Sequence, residues 1–552
     1  MPDESPSPPS QWVLAVPLDR LASSQPIAVK LQGRQVALFV HRGEVLACNN
    51  RCPHEGYPLI EGALDDECVL TCNWHNWKFD LRTGATLHGG DQLRVYPVSV
   101  RDGSVYVDIA DAPAAQRIGE ALSHLDEAIA DFDSPRIARE LARLGKAGAL
   151  PDVALERAIV ATHDRLRDGM SHAYAAADAW FRLRETLDDD ALRLACATEA
   201  IAYIAYDTLR EKSYPYTSNS TPWNALDFAV AIESQDENRA IALINGAPHS
   251  GLDYAALEPT LATAALAHYN DFGHSLIYLD HVGRLIARLG AGVERPLLNA
   301  WVRSLVLSTR EDLLPDFRGY ADALIAFGSA PQLPSASEAD ARTCTSVAQI
   351  VGALEGQSVR VAIKLIVDHA SLPPTVLHSA LMETAARHLL RFDEAHALRT
   401  DNSVADNVGW LDFSHALTFG HAVRRICERH PELWPQGLLQ LALFCARNKT
   451  YLDPDRSSTQ AMQEWAVDDE VAFHRRSIAR IVDHGIGVPI FPAHWLKTWF
   501  AVHETTSLFG DIPSSTRAAL LAATNRLLTV DFKQRHPLRT ARQALRFIDK
   551  ED

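Results

Sequence analysis

Two short loops carry the residues best suited to redox chemistry. Cys52-Pro53-His54 is followed after seventeen residues by Cys72-Asn73-Trp74-His75, a C-x-H and C-x-x-H pair. Two thiolates and two imidazoles are the donor set that divides over a diiron cluster, the sulfurs on one iron and the ring nitrogens on the other. Exchanging two thiolates for neutral imidazoles lowers the negative charge of the second iron and raises the potential above that of an all-cysteine cluster. Each histidine also keeps a titratable ring nitrogen, so electron uptake can be coupled to proton uptake.

The elements that must hold these loops are strands. From Trp12 to about Ile109 apolar residues alternate or run in short stretches, as in Ala37-Leu38-Phe39-Val40 and Ser104-Val105-Tyr106-Val107, separated by Gly-bearing turns such as Arg42-Gly43-Glu44 and Asp102-Gly103-Ser104. This predicts a small all-β domain over 12–110. At Ala110 to Gln116 the period changes from two to helical. From 117 to 552 Ala and Leu recur at helical spacing, broken by Pro and Gly, which predicts a large all-α domain. Ser134-Pro135, Thr221-Pro222 and Ser371-Leu372-Pro373-Pro374 read as helix starts. The Pro/Ser/Ala-rich stretch 329–345 reads as a connection or a lobe boundary.

The cluster motif, continued by Asn76-Trp77-Lys78-Phe79-Asp80 and Thr83-Gly84, resembles the Rieske ferredoxins and the N-terminal domains of Rieske oxygenases. The resemblance implies a [2Fe-2S] cluster on Cys52, His54, Cys72 and His75. It also indicates the redox class. Gly56 and Trp74 stand where high-potential members carry an extra disulfide, and Asn76-Trp77 replaces a Gly-Ser pair whose hydroxyl would favour the reduced cluster. The potential is therefore expected near the low end of the Rieske range, about -150 mV.

A fused Rieske domain calls for an electron acceptor. Standard Rieske oxygenases bind a mononuclear iron through a D/E-x3-D-x2-H-x4-H pattern. Asp271-x2-His274 and Asp412-x2-His415 approach it, but Leu279 and Gly420 occupy the places of the next histidine, so the standard catalytic domain is rejected. The two segments echo one another as D-F-small-H-small-L. Histidines nevertheless recur in Ala/Leu-rich segments, among them His163, His172, His274, His281, His378, His388, His415, His421, His494 and His503. A buried histidine taken alone is more often a hydrogen-bonded core residue than a ligand. At seven residues apart His274 and His281 should share a helix face, with Asp271 one turn before and Tyr278 one turn after His274, whereas His415 and His421 should face differently.

Gly169-Met170-Ser171-His172-Ala173, Phe272-Gly273-His274-Ser275-Leu276, Leu411-Asp412-Phe413-Ser414-His415 and His494-Trp495-Leu496-Lys497-Thr498 resemble, in order and separation, motifs of questin oxidase-like proteins. These are helical oxygenases of polyketide aromatic compounds. The resemblance implies iron ligands at His172, His274 and His415, and at Lys497 carbamylated by carbon dioxide. Burial would lower the lysine pKa and leave a neutral amine able to form the carbamate. An unmodified surface Lys497 stands as the alternative, and only one histidine of the first motif matches, with His163 upstream.

Together these features predict a non-haem iron oxygenase, monooxygenase or dioxygenase, acting with O2 on a small organic substrate, aromatic by resemblance. An external NAD(P)H-dependent reductase or ferredoxin is expected, because no convincing dinucleotide motif or second ferredoxin pattern accompanies the cluster. The rival reading is a Rieske electron carrier or redox sensor with a helical docking scaffold. A chain of 552 residues, 47% hydrophobic, fills more than one core, and its formal charge of -17 disfavours nucleic acid and anionic membranes as partners. Met1 to Ser10 lacks a signal pattern, no apolar run spans a bilayer, and Cys48, Cys68, Cys196, Cys344, Cys427 and Cys445 are scattered as thiols, which together predict a cytoplasmic location.

Overall fold

The computed structural model describes residues 10–21, 25–310, 313–329, 340–404 and 407–548. It forms two compact units, Met1–Ala154 and Leu155–Asp552. Among the described residues no helix is long and apolar enough to cross a membrane.

Among its described residues the first unit has eleven strands: β1 (Trp12–Pro17), β2 (Ile27–Leu31), β3 (Arg34–His41), β4 (Glu44–Asn49), β5 (Ala63–Leu64), β6 (Val69–Thr71), β7 (Lys78–Asp80), β8 (Thr86–His88), β9 (Val95–Tyr96), β10 (Val98–Arg101) and β11 (Ser104–Asp108). They form antiparallel sheets β1-β11-β10, β2-β3-β4-β9 and β5-β6-β7-β8. Strand β3 explains its own unbroken apolar run. Val36 and Leu38 enter one core with Val105 and Val107, while Ala37 and Phe39 enter a second core with Leu70 and Phe79. A period of two with both faces covered gives a continuously apolar strand. Cys48 and Cys68 are buried in the second core beside Cys52 and Cys72.

Two helices complete this unit, α1 (Ala114–Ala130) and α2 (Ser134–Lys146). Asp133 rather than Ser134 caps α2, accepting from the Arg136 N–H at 2.9 Å, and Pro135 sits in the first turn where no N–H is needed. Asp91, fully buried, receives Arg139 Nε at 2.6 Å and Arg143 Nη2 at 3.0 Å, with Arg136 Nε at 3.3 Å. These three arginines on one face of α2 tie the helix to the β domain.

The second unit is helical. Four of its helices matter here: α3 (His172–Glu185), α4 (His274–Leu289), α5 (Trp410–Arg429) and α6 (Ile490–Leu508). They pack in a ring, α3 on α4, α4 on α5, α5 on α6 and α6 on α3. The stretch 329–345 falls largely outside the described residues, and a helix already begins at Asp340. Thr221-Pro222 does not start a helix. The chain stays extended to Asn224, whose side chain caps Ala225–Glu233 by accepting from Asp227 N–H at 2.9 Å.

The Asp271 and Asp412 segments are not structural equivalents. Asp412 lies inside α5, whereas Asp271 belongs to a turn before α4 in which Asn270, Asp271 and Gly273 have φ of 52°, 45° and 79°. Asp271 is therefore not a helical turn before His274. At Gly273 a Cβ would stand 2.2 Å from the Phe419 ring, so only glycine admits this turn against α5.

Candidate metal centres

The two cluster loops have the same backbone design. Cys52 N–H donates to Tyr57 O at 2.9 Å and Gly56 N–H to Cys52 O at 2.8 Å; Cys72 N–H donates to Trp77 O at 2.8 Å and Asn76 N–H to Cys72 O at 3.0 Å. In each loop the fourth residue after the cysteine is left-handed, Gly56 at φ 78° and Asn76 at φ 60°, types that tolerate this region. These twin turns bury both thiols and bring the His54 and His75 rings to a centroid distance of 4.7 Å. His54 stacks on Trp77 at 4.5 Å, and Gly89 allows that indole its place, a Cβ there being 2.4 Å from the ring. Burial raises the Cys52 thiol to about 11 in the absence of a metal. A paired-sulfur side and a paired-imidazole side fit a cluster of mixed ligation. The Tyr57 hydroxyl donates to Glu61 at 2.7 Å, which commits it away from the loops.

The second centre lies inside the ring of α3 to α6. His172 opens α3, capped by the Ser171 hydroxyl that accepts from Ala173 N–H at 3.1 Å. His274 opens α4; His415 lies in the second turn of α5, and His494 near the start of α6 with Lys497 one turn on. Ring centroids separate by 4.8 Å for His172 and His274, 4.7 Å for His274 and His415, 4.4 Å for His415 and His494, and 4.8 Å for His172 and His494. Lys497 Nζ stands 2.9 Å from His172 Nδ1. One ligand atom each from His172, His415 and His494 lies within 4.8 Å of the others. Every residue that the sequence points to here is thus gathered at one place. Lys497 is 3% exposed, which removes the reading of a surface lysine.

The protonation pattern tests whether these groups suit a metal. Asn270 O and Leu411 O accept from the Nδ1–H groups of His274 and His415 at 3.1 and 2.6 Å, so both rings present a bare Nε2. Those two lone pairs face one another at 2.9 Å. Such a contact needs a proton or a metal ion between them, and about 2.9 Å is also the separation of two ligands at right angles on a metal with bonds of about 2.0–2.1 Å. Both ring nitrogens of His494 are buried without a hydrogen-bond partner, a cost that a ligand bond would remove. Burial, with Lys497 nearby, pushes all four imidazoles toward the neutral form that binds metal, His274 to about 4. Burial likewise lowers Lys497 to about 7.

His494 was absent from the ligands expected from sequence. Its signal was its position three residues before Lys497, on the same helical face. His378, His388, His281 and His421 make ordinary hydrogen bonds. His378 Nε2 donates to Gly420 O at 2.8 Å and His388 Nδ1 to Cys445 O at 3.0 Å. His281 pairs with Asp178 at 2.8 Å, and His421 with Glu504 at 2.8 Å, neither joining the four rings.

Residues 11–97 match the family described as the Rieske [2Fe-2S] domain. Over 78 residues the chain is 38% identical to the 3-phenylpropionate/cinnamic acid dioxygenase ferredoxin subunit of Photorhabdus laumondii, a match covering 14% of this chain and 74% of that protein. The subunit of the same name from Escherichia coli K12 is 38% identical over 79 residues, with the same shares. Among solved structures, the ferredoxin of carbazole 1,9a-dioxygenase from Nocardioides aromaticivorans IC177 is 29% identical, covering 18% of this chain and 98% of that one, with a TM-score of 0.17.

Proposed function

Because the chain belongs to the Rieske [2Fe-2S] family through its N-terminal domain, we propose that it is an oxygenase in which this domain feeds electrons to a non-haem iron held in the helical unit. A Rieske domain carries a [2Fe-2S] cluster and serves electron transfer. Cys52 and Cys72 would hold one iron of that cluster, and His54 and His75 the other. His172, His274, His415 and His494 would hold the second centre, with Lys497 as neutral amine or carbamate. An iron bound there would supply one-electron chemistry and activation of dioxygen.

The observation that carries this reading is the pair of Nε2 atoms of His274 and His415 at 2.9 Å, beside the basic, buried side chains of His494 and Lys497. A docking scaffold has no use for such a contact. The protein's own side chains fix the donors. Phe272 stacks on the His415 ring at 4.9 Å, Tyr278 packs on His274 at 5.3 Å, and the carbonyls of Asn270 and Leu411 hold each ring in one tautomer.

The substrate would enter a cavity of about 530 Å³ whose wall includes Leu411 and Phe491, one turn before His415 and His494. Trp410, Trp465, Phe491 and Phe532 line it. Its size and aromatic walls suit a small organic, aromatic substrate. The reductant would come from an external reductase or ferredoxin.

The test is iron analysis with oxygen uptake. Anaerobically prepared protein should hold about three irons per chain and consume oxygen with a supplied reductase, the cluster accounting for two. A stable count of about two, with no oxygen uptake, would leave only an electron carrier.

A further inference from the structure

Counted from each histidine of the second centre, the inward stripe of every helix continues with ionisable residues. Six or seven positions on stand Asp178 in α3, Asp280 and His281 in α4, and His421 in α5. Ten positions on stand Arg182, Arg284, Arg425 and Glu504. Seven positions return to the face that bears the histidine, as His281 does, whereas positions six and ten lie to its side and are drawn together by contacts between the helices. The four helices therefore extend the centre into a polar column where a bundle core would ordinarily be apolar.

The column consists of two hydrogen-bonded groups joined by the ion pair of Arg182 with Asp178 at 3.9 Å. His281 Nδ1 meets Asp178 at 2.8 Å, and His421 Nε2 meets Glu504 at 2.8 Å. Arg284 Nη2 donates to Glu504 at 2.7 Å and Arg284 Nε to Asp280 at 3.1 Å; Arg182 also binds Glu504. Arg425 Nε donates to Asp280 at 2.9 Å. Three carboxylates thus face three guanidiniums, and each histidine is hydrogen-bonded to a carboxylate. Side-chain exposure rises along it, from 2% for Asp178 through 13% for His281 and 18% for Arg182 to 25% for Arg425. A cavity of about 20 Å³, room for one water, is lined by Lys497 together with His281, His421 and Glu504.

We propose that this column conducts protons between solvent and the buried histidine centre, with the His281–Asp178 and His421–Glu504 pairs as its relay groups. The inference rests on the iron reading above. For each oxygen atom of dioxygen that leaves as water, two electrons and two protons are taken up. The electrons come from the reductase through the cluster, and the protons must reach a centre whose His415, His494 and Lys497 are buried. Replacing buried ion pairs by apolar residues commonly costs no stability, so structural support alone gives little reason for so many charges. An imidazole hydrogen-bonded to a carboxylate passes a proton with little movement of heavy atoms.

The experiment uses full-length protein carrying cluster and iron, reduced anaerobically with reduced methyl viologen, whose oxidation releases no proton, while a pH indicator reports proton uptake, in H2O and in D2O. The His415→Ala variant, lacking the second iron, gives the uptake of the cluster alone. Wild type should show an additional phase, slower in D2O. In Glu504→Gln and, separately, Asp178→Asn, with iron content retained, that phase should slow roughly tenfold or more and regain speed with added small weak acids. If it keeps the wild-type rate and isotope effect in whichever variant folds, or is absent from iron-loaded wild type, the column is structural only. Wild type without a second iron would instead overturn the oxygenase reading itself.

Discussion

Lys497 Nζ lies 2.9 Å from His172 Nδ1, across 325 residues of sequence. The contact places an amine with a pKa lowered to about 7 among four neutral imidazoles. Between about pH 7 and its ordinary value of 10.5 the unfolded chain holds a proton on this lysine that the folded chain has released. Stability of iron-free protein should therefore rise with pH through that window and be flat for this group below it. Denaturant midpoints of wild type and Lys497→Met at pH 6.5 and pH 9 check this. The variant should lack the rise, on the order of 2–3 kcal/mol between these two pH values.

The two centres should separate by mutation. His415→Ala should remove one iron and leave the cluster spectrum intact, whereas Cys72→Ser should abolish the electron-paramagnetic signature of the reduced mixed S/N cluster. Iron analysis and spectra of both variants test this. Loss of the cluster signal in His415→Ala would contradict separate sites.

The cluster should have a potential near the low end of its class, about -150 mV. Tyr57 donates to Glu61, and Gly56 and Trp74 preclude a disulfide between the loops. A spectroscopic redox titration measures it. A value above zero would show that other groups stabilise the reduced state.

Asp91→Ala should leave Arg136, Arg139 and Arg143 facing a buried gap and destabilise the first unit by about 3–5 kcal/mol, read by denaturant unfolding. Burial opposes the Asp91 charge, but Arg139 and Arg143 outweigh it and hold its pKa below the usual carboxylate value. Its contribution is thus present above that usual value and fades as pH falls through the lowered one. Wild type should lose this stabilisation in acid, and the variant should not.

Gly273→Ala should cost about 1–3 kcal/mol through contact with Phe419, in addition to left-handed strain. Because the turn sets the start of α4, it should also lower iron retention at His274. Thermal unfolding and iron content give both effects.

The cluster loops were legible in the sequence because their chemistry is local. Each thiol and imidazole is two or three residues apart, and a tight turn alone brings them together. The β and helical regions were legible from apolar period for the same reason. His172, His274, His415 and Lys497 could be named only through motif resemblance, and His494 was missed as a donor, because nothing in a single helix says which of its histidines meets those of three others. That depended on how α3 to α6 pack in a ring, which decides that the Nε2 atoms of His274 and His415 face each other while His281 and His421 turn to carboxylates. The attachment of α2 was likewise invisible in the chain, since Asp91 gains its three arginines only when the helix folds back on the strands. Short-range spacing is written in the sequence; the meeting of distant side chains is decided by the packing of the elements that carry them.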